Sequence, residues 1–93
     1  MHITFDPAKR HLTLLHRGLD MADADEGFSS EIASFTDDRK DYGEDRFISV
    51  GFLSGRMVVV VWTPRGESRR IISLRKANER EQRLFEKIGR AHV

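Results

Sequence analysis

The sequence predicts an α+β domain, with one antiparallel sheet and helices packed mainly on one of its faces. Two turn signals, Ser54-Gly55 and Pro64-Arg65-Gly66, separate three runs whose alternating or apolar residues predict strands. Apolar residues at helical spacing flank these runs towards both ends of the chain. The predicted element order is β-α-α-β-β-β-β-α, and the 93 residues are expected to form a single domain over 1–93.

The first third predicts a short strand and two helices. His2 to Phe5 forms the strand, and Asp6-Pro7 begins a helix because Asp accepts from free amides and Pro tolerates the first helical position. Gly18 is expected to end that helix in the left-handed conformation, and Asp20 to cap a shorter second helix. The apolar stripes of the two helices are Ala8, Leu12 and Leu15, and Met21, Ala24 and Phe28.

Four further strands are predicted in the middle of the chain. Residues 31–36 form the first, and a charged loop at 37–45 separates it from a meander of strands at 46–53, 57–62 and 68–75. The meander is antiparallel because its short loops cannot cross over the sheet. Its middle strand is apolar on both sides, which predicts a central position with both faces covered.

A closing helix is predicted after the last strand. Asn78 and Glu81 have the spacing of a capping box, in which each side chain accepts from a backbone amide of the other residue. Gly89 is expected to end the helix, leaving 90–93 as a frayed tail. The inner face is formed by Ala77, Leu84, Phe85 and Ile88.

Composition limits the classes to which the chain can belong. It has no cysteine, which excludes disulfides, thiolate metal sites and cysteine nucleophiles. The N-terminal residues lack the basic and apolar regions of a signal peptide. The longest apolar run, Met57 to Trp62, is far shorter than the ~20 residues of a membrane span. A cytoplasmic protein with no membrane association is therefore expected.

The charges are divided unevenly along the chain. Residues 1–64 carry 7 Lys/Arg and 11 Asp/Glu, a net charge of −4, whereas residues 65–93 carry 9 and 4, a net charge of +5. The two parts together give the formal charge of +1. A basic last third attracts phosphates if its side chains share a face, and is otherwise a solvated surface with ion pairs.

The last predicted strand carries the most informative cations. Side chains alternate across a strand, so Arg69, Ile71, Ser73 and Arg75 are expected on one face and Arg70, Ile72 and Leu74 on the other. Arginines grouped at a groove can clamp a phosphodiester, because each guanidinium donates in a planar fork. The alternative is that they solubilise the strand ends. A shared site for Arg70 and Arg75 requires either a bulge or a twisted strand end.

Other residue patterns leave their chemistry open. Glu44 beside Arg46 is either a proton carrier near a phosphate or a surface ion pair. The spacing of His11 and His16 is not that of two ligands on one helical face, so we expect no metal site, and without a Gly-rich phosphate loop we expect no cofactor. The aromatic residues Trp62 and Tyr42 can stack on bases, but such a Trp is more often a core residue at the end of a sheet, and such a Tyr an exposed loop residue.

An ordered set of motifs runs from Phe5 to about Phe85. The early motifs are Phe5-Asp6-Pro7-Ala8-Lys9, Gly18 and Phe28. The later ones are Glu44-x-Arg46, Gly51, Thr63-x-Arg65-Gly66 and, most specific, Arg70-Ile71-Ile72-Ser73-x-Arg75-x-Ala77 leading to Glu81. This set resembles the BrnT family of type II toxins, relatives of the RelE-like ribonucleases. The chain departs from the family pattern at Thr13, at His16-Arg17 and at Phe85, where the family has Asn, a Lys-His pair and Tyr.

The resemblance implies a RelE-like sheet and a growth-inhibiting ribonuclease toxin, which cuts RNA without a metal by attack of the 2′-hydroxyl on the adjacent phosphate. It implies Arg70 and Arg75 as phosphate ligands, Arg46 as the next candidate, and Glu44 as a base or as a residue that orients Arg46. The implied partner is a cognate ribbon–helix–helix antitoxin, BrnA-like, through which alone operator DNA is bound. Lys9 is implied as a catalytic-site residue that completes the positive site from the first helix, and Arg65 and Lys76 are implied as contacts to the RNA backbone.

Two other functions compete with this hypothesis. A non-catalytic module that only pairs with an antitoxin would use the sheet edge and apolar helix faces, and would need no aligned arginines. Direct DNA binding lacks a helix–turn–helix pattern, and Glu79, Glu81 and Glu86 dilute the charge of the closing helix. Incubation of the protein with RNA in EDTA discriminates between the catalytic and the binding hypotheses.

Overall fold

The computed structural model describes the backbone of residues 2–91 and the side chains of residues 2–88. It confirms a mixed α+β fold, and the elements follow one another along the chain in the predicted order. They are β1 (His2–Thr4), α1 (Pro7–Arg17), a 3₁₀ turn (Met21–Asp23), α2 (Ala24–Ser29), β2 (Ala33–Thr36), β3 (Phe47–Leu53), β4 (Arg56–Arg65), β5 (Ser68–Lys76) and α3 (Glu79–Ala91).

Within the described range the strands form one five-stranded sheet in the order β1-β5-β4-β3-β2. The predicted meander is confirmed, because β3, β4 and β5 are antiparallel neighbours joined by short turns. The prediction of a wholly antiparallel sheet is wrong at one edge, where β1 pairs with β5 in parallel. A short loop fixes the direction of each meander strand, whereas β1 leaves the sheet through a helix and its direction is free of that constraint.

The central strand β4 supplies side chains to both faces of the sheet. Residues Met57 to Val61 are all buried, as predicted from their continuous apolar run. Alternate residues enter two separate clusters: Val58 and Val60 pack under α2, whereas Val59 packs towards α3. We call the first side the closed face and the second side the open face.

The helices are divided between these two faces, which corrects the prediction that they pack mainly on one. The closed face holds a cluster around Met21, Ala24, Val60 and Leu74. On the open face, Phe85 of α3 packs with apolar residues of the sheet. The α3 helix takes this side because it begins three residues after β5 ends, too soon for the chain to cross to the face that α2 covers.

The start and end of α1 confirm the sequence signals, but its packing does not. The Asp6 carboxylate accepts from the Ala8 amide at 2.8 Å, and Gly18 ends the helix with φ 67°. The predicted apolar stripe is not buried: Leu12 is 52% exposed and Leu15 is 67% exposed. This helix lies beside the edge of β5 beyond its pairing with β1, where Arg17 donates to the Leu74 carbonyl oxygen at 2.8 Å.

The closing helix confirms the capping box and corrects the predicted end. The Asn78 amide donates to the Glu81 carboxylate at 2.9 Å, and the Glu81 amide donates to Asn78 Oδ1 at 2.8 Å. The helix does not stop at Gly89 but continues to Ala91, so the predicted frayed tail is helical in its first two residues. The rest of that tail, 92–93, lies outside the described residues. Within 2–91, no helix is long and apolar enough to cross a membrane.

Candidate functional site

A β-bulge in β5 decides where the cations of the last strand point. The register with β4 pairs Val61 with Ser73 and the next residue, Trp62, with Ile71, so Ile72 is the extra residue. Consistent with this, Ile71 and Leu74 enter the same cluster on the closed face, although they are an odd number of residues apart. The predicted division of β5 side chains between two faces is therefore wrong beyond Ile71.

The bulge brings Arg70 and Arg75 to the same face of the sheet, as a shared phosphate site requires. Arg70 pairs with Thr63 before the bulge, and Arg75 pairs with Val59 after it. Val59 faces the open side, and Thr63 follows it by an even number of residues along β4, so both arginines belong to the open face. The two cations that an ideal strand separates are thus directed to the same side of the sheet.

A groove of about 450 Å³ lies on the open face, where α3 leaves the sheet uncovered. Its floor is apolar and is formed largely by Ile48, Val59 and Val61. Cationic and aromatic side chains line its rim, so it combines an electropositive wall with an apolar base. The charged and aromatic residues that line it are Phe35, Arg39, Arg46, Arg75, Glu81 and Phe85.

Arg75 is held in the groove by the first turn of α3. Its Nη1 and Nη2 atoms donate to the two carboxylate oxygens of Glu81 at 2.7 and 2.8 Å. This two-pronged hydrogen bond lowers the pKa of Glu81 to about 2, and it raises the pKa of Arg75. Both groups are therefore charged at neutral pH, and the guanidinium plane is fixed, with Nη1 also donating to the Lys76 carbonyl oxygen at 3.3 Å.

Arg46 reaches the groove from the start of β3 and is positioned mainly by an aromatic ring. Its guanidinium carbon lies 3.9 Å from the ring centroid of Tyr42. The Nε atom is the buried side-chain polar atom that has no hydrogen-bond partner among residues 2–88. This guanidinium therefore has a donor that no group of the described residues uses. An unpaired buried donor lowers the stability of the folded protein, so a ligand that accepts from Nε would be favoured.

Glu44 sits beside Arg46 at the edge of the groove rather than within it. Its Oε1 atom is 3.9 Å from Arg46 Nη2, and its Oε2 atom is 3.3 Å from Arg65 Nη2. Both distances are longer than a strong charge-assisted hydrogen bond. The structure thus brings Glu44, Arg46 and Arg65 together, with a carboxylate that neither arginine holds tightly.

Two further groove residues escaped the sequence reasoning. Arg39 comes from the charged loop and donates to both oxygens of Asp37 at 2.7 and 2.8 Å. The Asp37 side chain is inaccessible to solvent, and this pairing lowers the pKa of its carboxyl to about 2. Glu81 was predicted to cap the closing helix but was not assigned to the site. The spacing Asp37-x-Arg39 directly after a strand was the available signal for the first, and none indicated that Glu81 contacts Arg75.

The remaining predicted residues lie around the groove at different distances from it. Lys9 of α1 lines a second, shallower groove, which shares Ile72 and Ser73 with the first. Lys76 pairs with Val58 of the closed face, so the structure does not bring it to the cationic cluster. Within residues 2–88, no group of three His, Asp or Glu side chains is placed to hold a metal ion.

Comparison with known proteins was decisive for the family. Residues 5–81 match the family model described as the ribonuclease toxin BrnT of type II toxin–antitoxin systems. The chain belongs to the BrnT family. No curated protein sequence matches it.

The family assignment gives the groove its functional context. The BrnT match runs from Phe5 through Glu81, so it contains the meander, the bulge and every charged residue that lines the groove. As a member of this family the chain is a ribonuclease toxin of a type II system, and such a toxin has an antitoxin partner. The sequence resemblance to this family is thus confirmed.

Proposed function

We propose that the open-face groove is where this toxin cleaves RNA, without a metal, by attack of a 2′-hydroxyl on the adjacent phosphate. The observation that carries the proposal is the bulge at Ile72, which directs Arg70 and Arg75 to the face that also carries Arg46. Guanidinium groups are suited to this task because they stay protonated and donate to phosphate oxygens in a planar fork. A kinship with RelE-like ribonucleases remains a prediction from the sequence resemblance.

In this mechanism the 2′-oxygen forms a bond to phosphorus, and the bond from phosphorus to the 5′-oxygen breaks. The products are a 2′,3′-cyclic phosphate and a 5′-hydroxyl, so one proton leaves the attacking oxygen and one joins the leaving oxygen. Arg75 and Arg46 stabilise the charge that develops on the phosphorane, which is commonly the largest catalytic contribution. Arg70, farther along the same face, binds a flanking phosphate together with Arg65.

Glu44 is the carboxylate that we assign as proton acceptor, or as the group that orients Arg46. Glu81 is a poor base because Arg75 holds its pKa at about 2. Glu44 has no comparable partner, since its nearest arginine atoms are 3.3 and 3.9 Å away. Lys9 is the candidate to donate to the leaving oxygen, from the neighbouring groove across Ile72 and Ser73.

The experiment is a cleavage assay on folded variants in the presence of EDTA. Arg75→Ala and Arg46→Ala are expected to lower the cleavage rate by ~10²-fold or more, because each removes a donor to the developing charge. Arg→Lys at either position restores only part of the rate, since an ammonium cannot make the two-pronged contact. Arg56→Ala, an exposed arginine at the start of β4, is the matched control.

Full activity of both groove variants would remove these arginines from the site. Complete loss of activity in EDTA, with recovery on adding a divalent cation, would contradict the metal-independent mechanism. Growth arrest on induction of each variant provides the readout in cells and is expected to follow the cleavage rates.

We also propose that the antitoxin is a ribbon–helix–helix protein whose binding masks the groove, and that operator DNA is bound only through it. Carboxylates of the antitoxin would satisfy the arginines in place of phosphate, because the same guanidinium fork binds both anions. A saturated complex is expected to melt at a higher temperature than the free toxin by mass action. Its RNA cleavage should be lost, and unchanged cleavage in the saturated complex would contradict the masking.

A further inference from the structure

We infer that Phe35 is a stacking platform for an unpaired nucleobase, which restricts the groove to single-stranded RNA. The inference rests on the proposed function and adds the substrate class to it. Phe35 lies on the edge strand β2, and its side chain is 44% exposed on the rim that also carries Arg39, Arg46 and Arg75. An exposed aromatic ring beside a cationic cluster is complementary to a ligand that has both an apolar part and an anionic part.

The ring of Phe35 is supported from one side only. It stacks on Phe85 of α3, with the ring centroids 6.2 Å apart and the planes at 16°. Phe85 is itself buried, with 7% exposure, and belongs to the open-face cluster around Val59, so the pair of rings is anchored there. A base on the free side of Phe35 would extend an existing stack and would not need a side chain to be reordered, which keeps the entropic cost of binding low.

The other aromatic residues near the cations are already occupied. Tyr42 has Arg46 over its ring at 3.9 Å and Lys40 at 5.1 Å. Trp62 lies on the closed side, where it contacts Phe28 and Phe47, and Arg69 is 4.5 Å from its centroid. Among residues 2–88, Phe35 is the aromatic residue that is both exposed and on the groove.

The sheet register places this ring between the cations. Phe35 pairs with Ile48, which pairs with Val61, which in turn pairs with Ser73. The row on one side of it ends at Arg75, through the pairs Ala33 with Val50 and Val50 with Val59. The row on the other side contains Arg46, whose carbonyl oxygen accepts from the Asp37 amide.

A nucleotide placed here would have its base on Phe35 and its phosphates towards the arginines on either side. The groove volume of about 450 Å³ lies in the range of sites that hold small ligands. The base must be free of a paired partner, because base faces inside an A-form duplex are not accessible to side chains. Stacking accepts every base, since each has a π-face, so the platform selects single strands rather than a sequence.

The test uses a 2′-O-methyl oligonucleotide, which lacks the attacking hydroxyl and so reports binding without cleavage. Phe35→Leu keeps most of the apolar volume against Phe85 but removes the ring, whereas Phe35→Trp keeps a ring. We expect about tenfold weaker binding for the leucine variant and near wild-type binding for the tryptophan variant. Leu15→Ala, an exposed apolar residue of α1, is the control and should bind as wild type.

A second arm replaces every nucleotide of the oligonucleotide by an abasic one, because a site without sequence preference could avoid a single abasic position by a shift of the strand. The abasic strand should bind wild type about tenfold more weakly than the parent strand, and that cost should disappear in Phe35→Leu, because the two changes remove the same contact. A perfect duplex of the same sequence should bind at least tenfold more weakly than the single strand. An abasic penalty that persists undiminished in Phe35→Leu would overturn the inference.

The outcomes separate this inference from the proposed function. If wild type cleaves RNA and the Phe35 variants bind and cleave equally well, the platform is wrong and the cleavage site stands. If the leucine variant loses binding but wild type does not cleave, the platform stands and the catalytic proposal fails. If Phe35→Leu weakens only antitoxin binding, Phe35 is a protein contact and the inference is overturned.

Discussion

The two faces of the sheet are built from the same strands but are covered by helices to different extents. On the closed face, α2 packs closely against the sheet, and the buried cluster reaches from Met21 to Leu74. On the open face, α3 covers only the part of the sheet around Val59 and Phe85, and the rest forms the floor of the groove. The difference indicates that one face supplies stability, while the other gives up burial to expose an electropositive surface.

The largest change in stability is expected where β3 and α2 come closest together on the closed face. A Cβ on Gly51 of β3 would overlap the Gly27 carbonyl oxygen of α2. Gly51→Ala should therefore lower the free energy of unfolding by about 3 kcal/mol, because backbone rather than a flexible side chain must move. Urea denaturation measures this change.

Gly27→Ala is the matched control for that contact. Its Cβ would meet Val58, Val60 and Leu53 side chains at 3.7 to 3.8 Å, which is ordinary van der Waals contact. Replacing glycine inside a helix is expected to leave stability unchanged or raise it by up to ~1 kcal/mol. Equal losses in the two variants would show that α2 does not approach β3 as described.

Val60 and Val61 are neighbours that face opposite sides of the sheet, so shortening each one compares the two faces directly. The expected losses of stability are intermediate in size. Val60 is 1% exposed on the closed face, and Val61 is 7% exposed on the groove floor. Val60→Ala should cost about 2 kcal/mol, because it leaves a sealed cavity. Val61→Ala should cost about 1 kcal/mol or less, because solvent in the groove fills the space. Thermal or urea unfolding of both variants checks the order, and a larger loss for Val61→Ala would contradict the assignment of the faces.

Acid should weaken the ion pair between Arg75 in the groove and Glu81 of α3. The resulting loss of stability is expected to be the smallest of the three. The pKa of Glu81 is lowered from 4.5 to about 2, so its stabilising contribution is present above pH 4.5 and is lost as pH falls towards 2. Glu81→Gln should therefore be less stable than wild type at neutral pH, and the difference should shrink as pH falls through this window. A difference that stays constant from pH 7 to pH 2 would contradict the pairing with Arg75.

Glu86→Gln, on the exposed side of α3, is the control for the acid experiment. It changes the same residue type on the same helix without touching the groove, and surface substitutions of this kind usually act within ±0.5 kcal/mol. Its unfolding curve should follow that of wild type across the pH window.

The local features of the fold were predictable because their signals are local. Turn residues and the apolar run placed β3 to β5 at nearly the observed bounds, and the caps at Asp6 and Asn78 predicted where two helices begin. The parallel pairing of β1 with β5 and the position of α3 on the open face were missed. Both depend on how distant segments meet, which no spacing within a segment determines.

The candidate site was predictable as a set of charges but not as a geometry. Arg46 and Arg75 were named from the sequence, and both line the groove. For Arg70 and Arg75 the sequence indicated only that a bulge or a twisted strand end is required, and the position of the bulge was not predicted, because Ile72 carries no mark that distinguishes it from Ile71. Arg39 was hidden in a charged loop, and the capping role of Glu81 concealed its second contact with Arg75.

The contact between Arg17 and the Leu74 carbonyl has a consequence for self-association. The parallel strand β1 covers β5 only at residues 68–70, so the backbone edge from 71 to 76 faces no strand. A bare edge of this kind is a template on which strands of other molecules can add, and repeated addition leads to aggregation. Here α1 shields the edge, the bulge interrupts its regular repeat, and a guanidinium occupies the Leu74 acceptor. Arg17→Ala should therefore leave the folded protein stable but make it aggregate faster in concentrated solution.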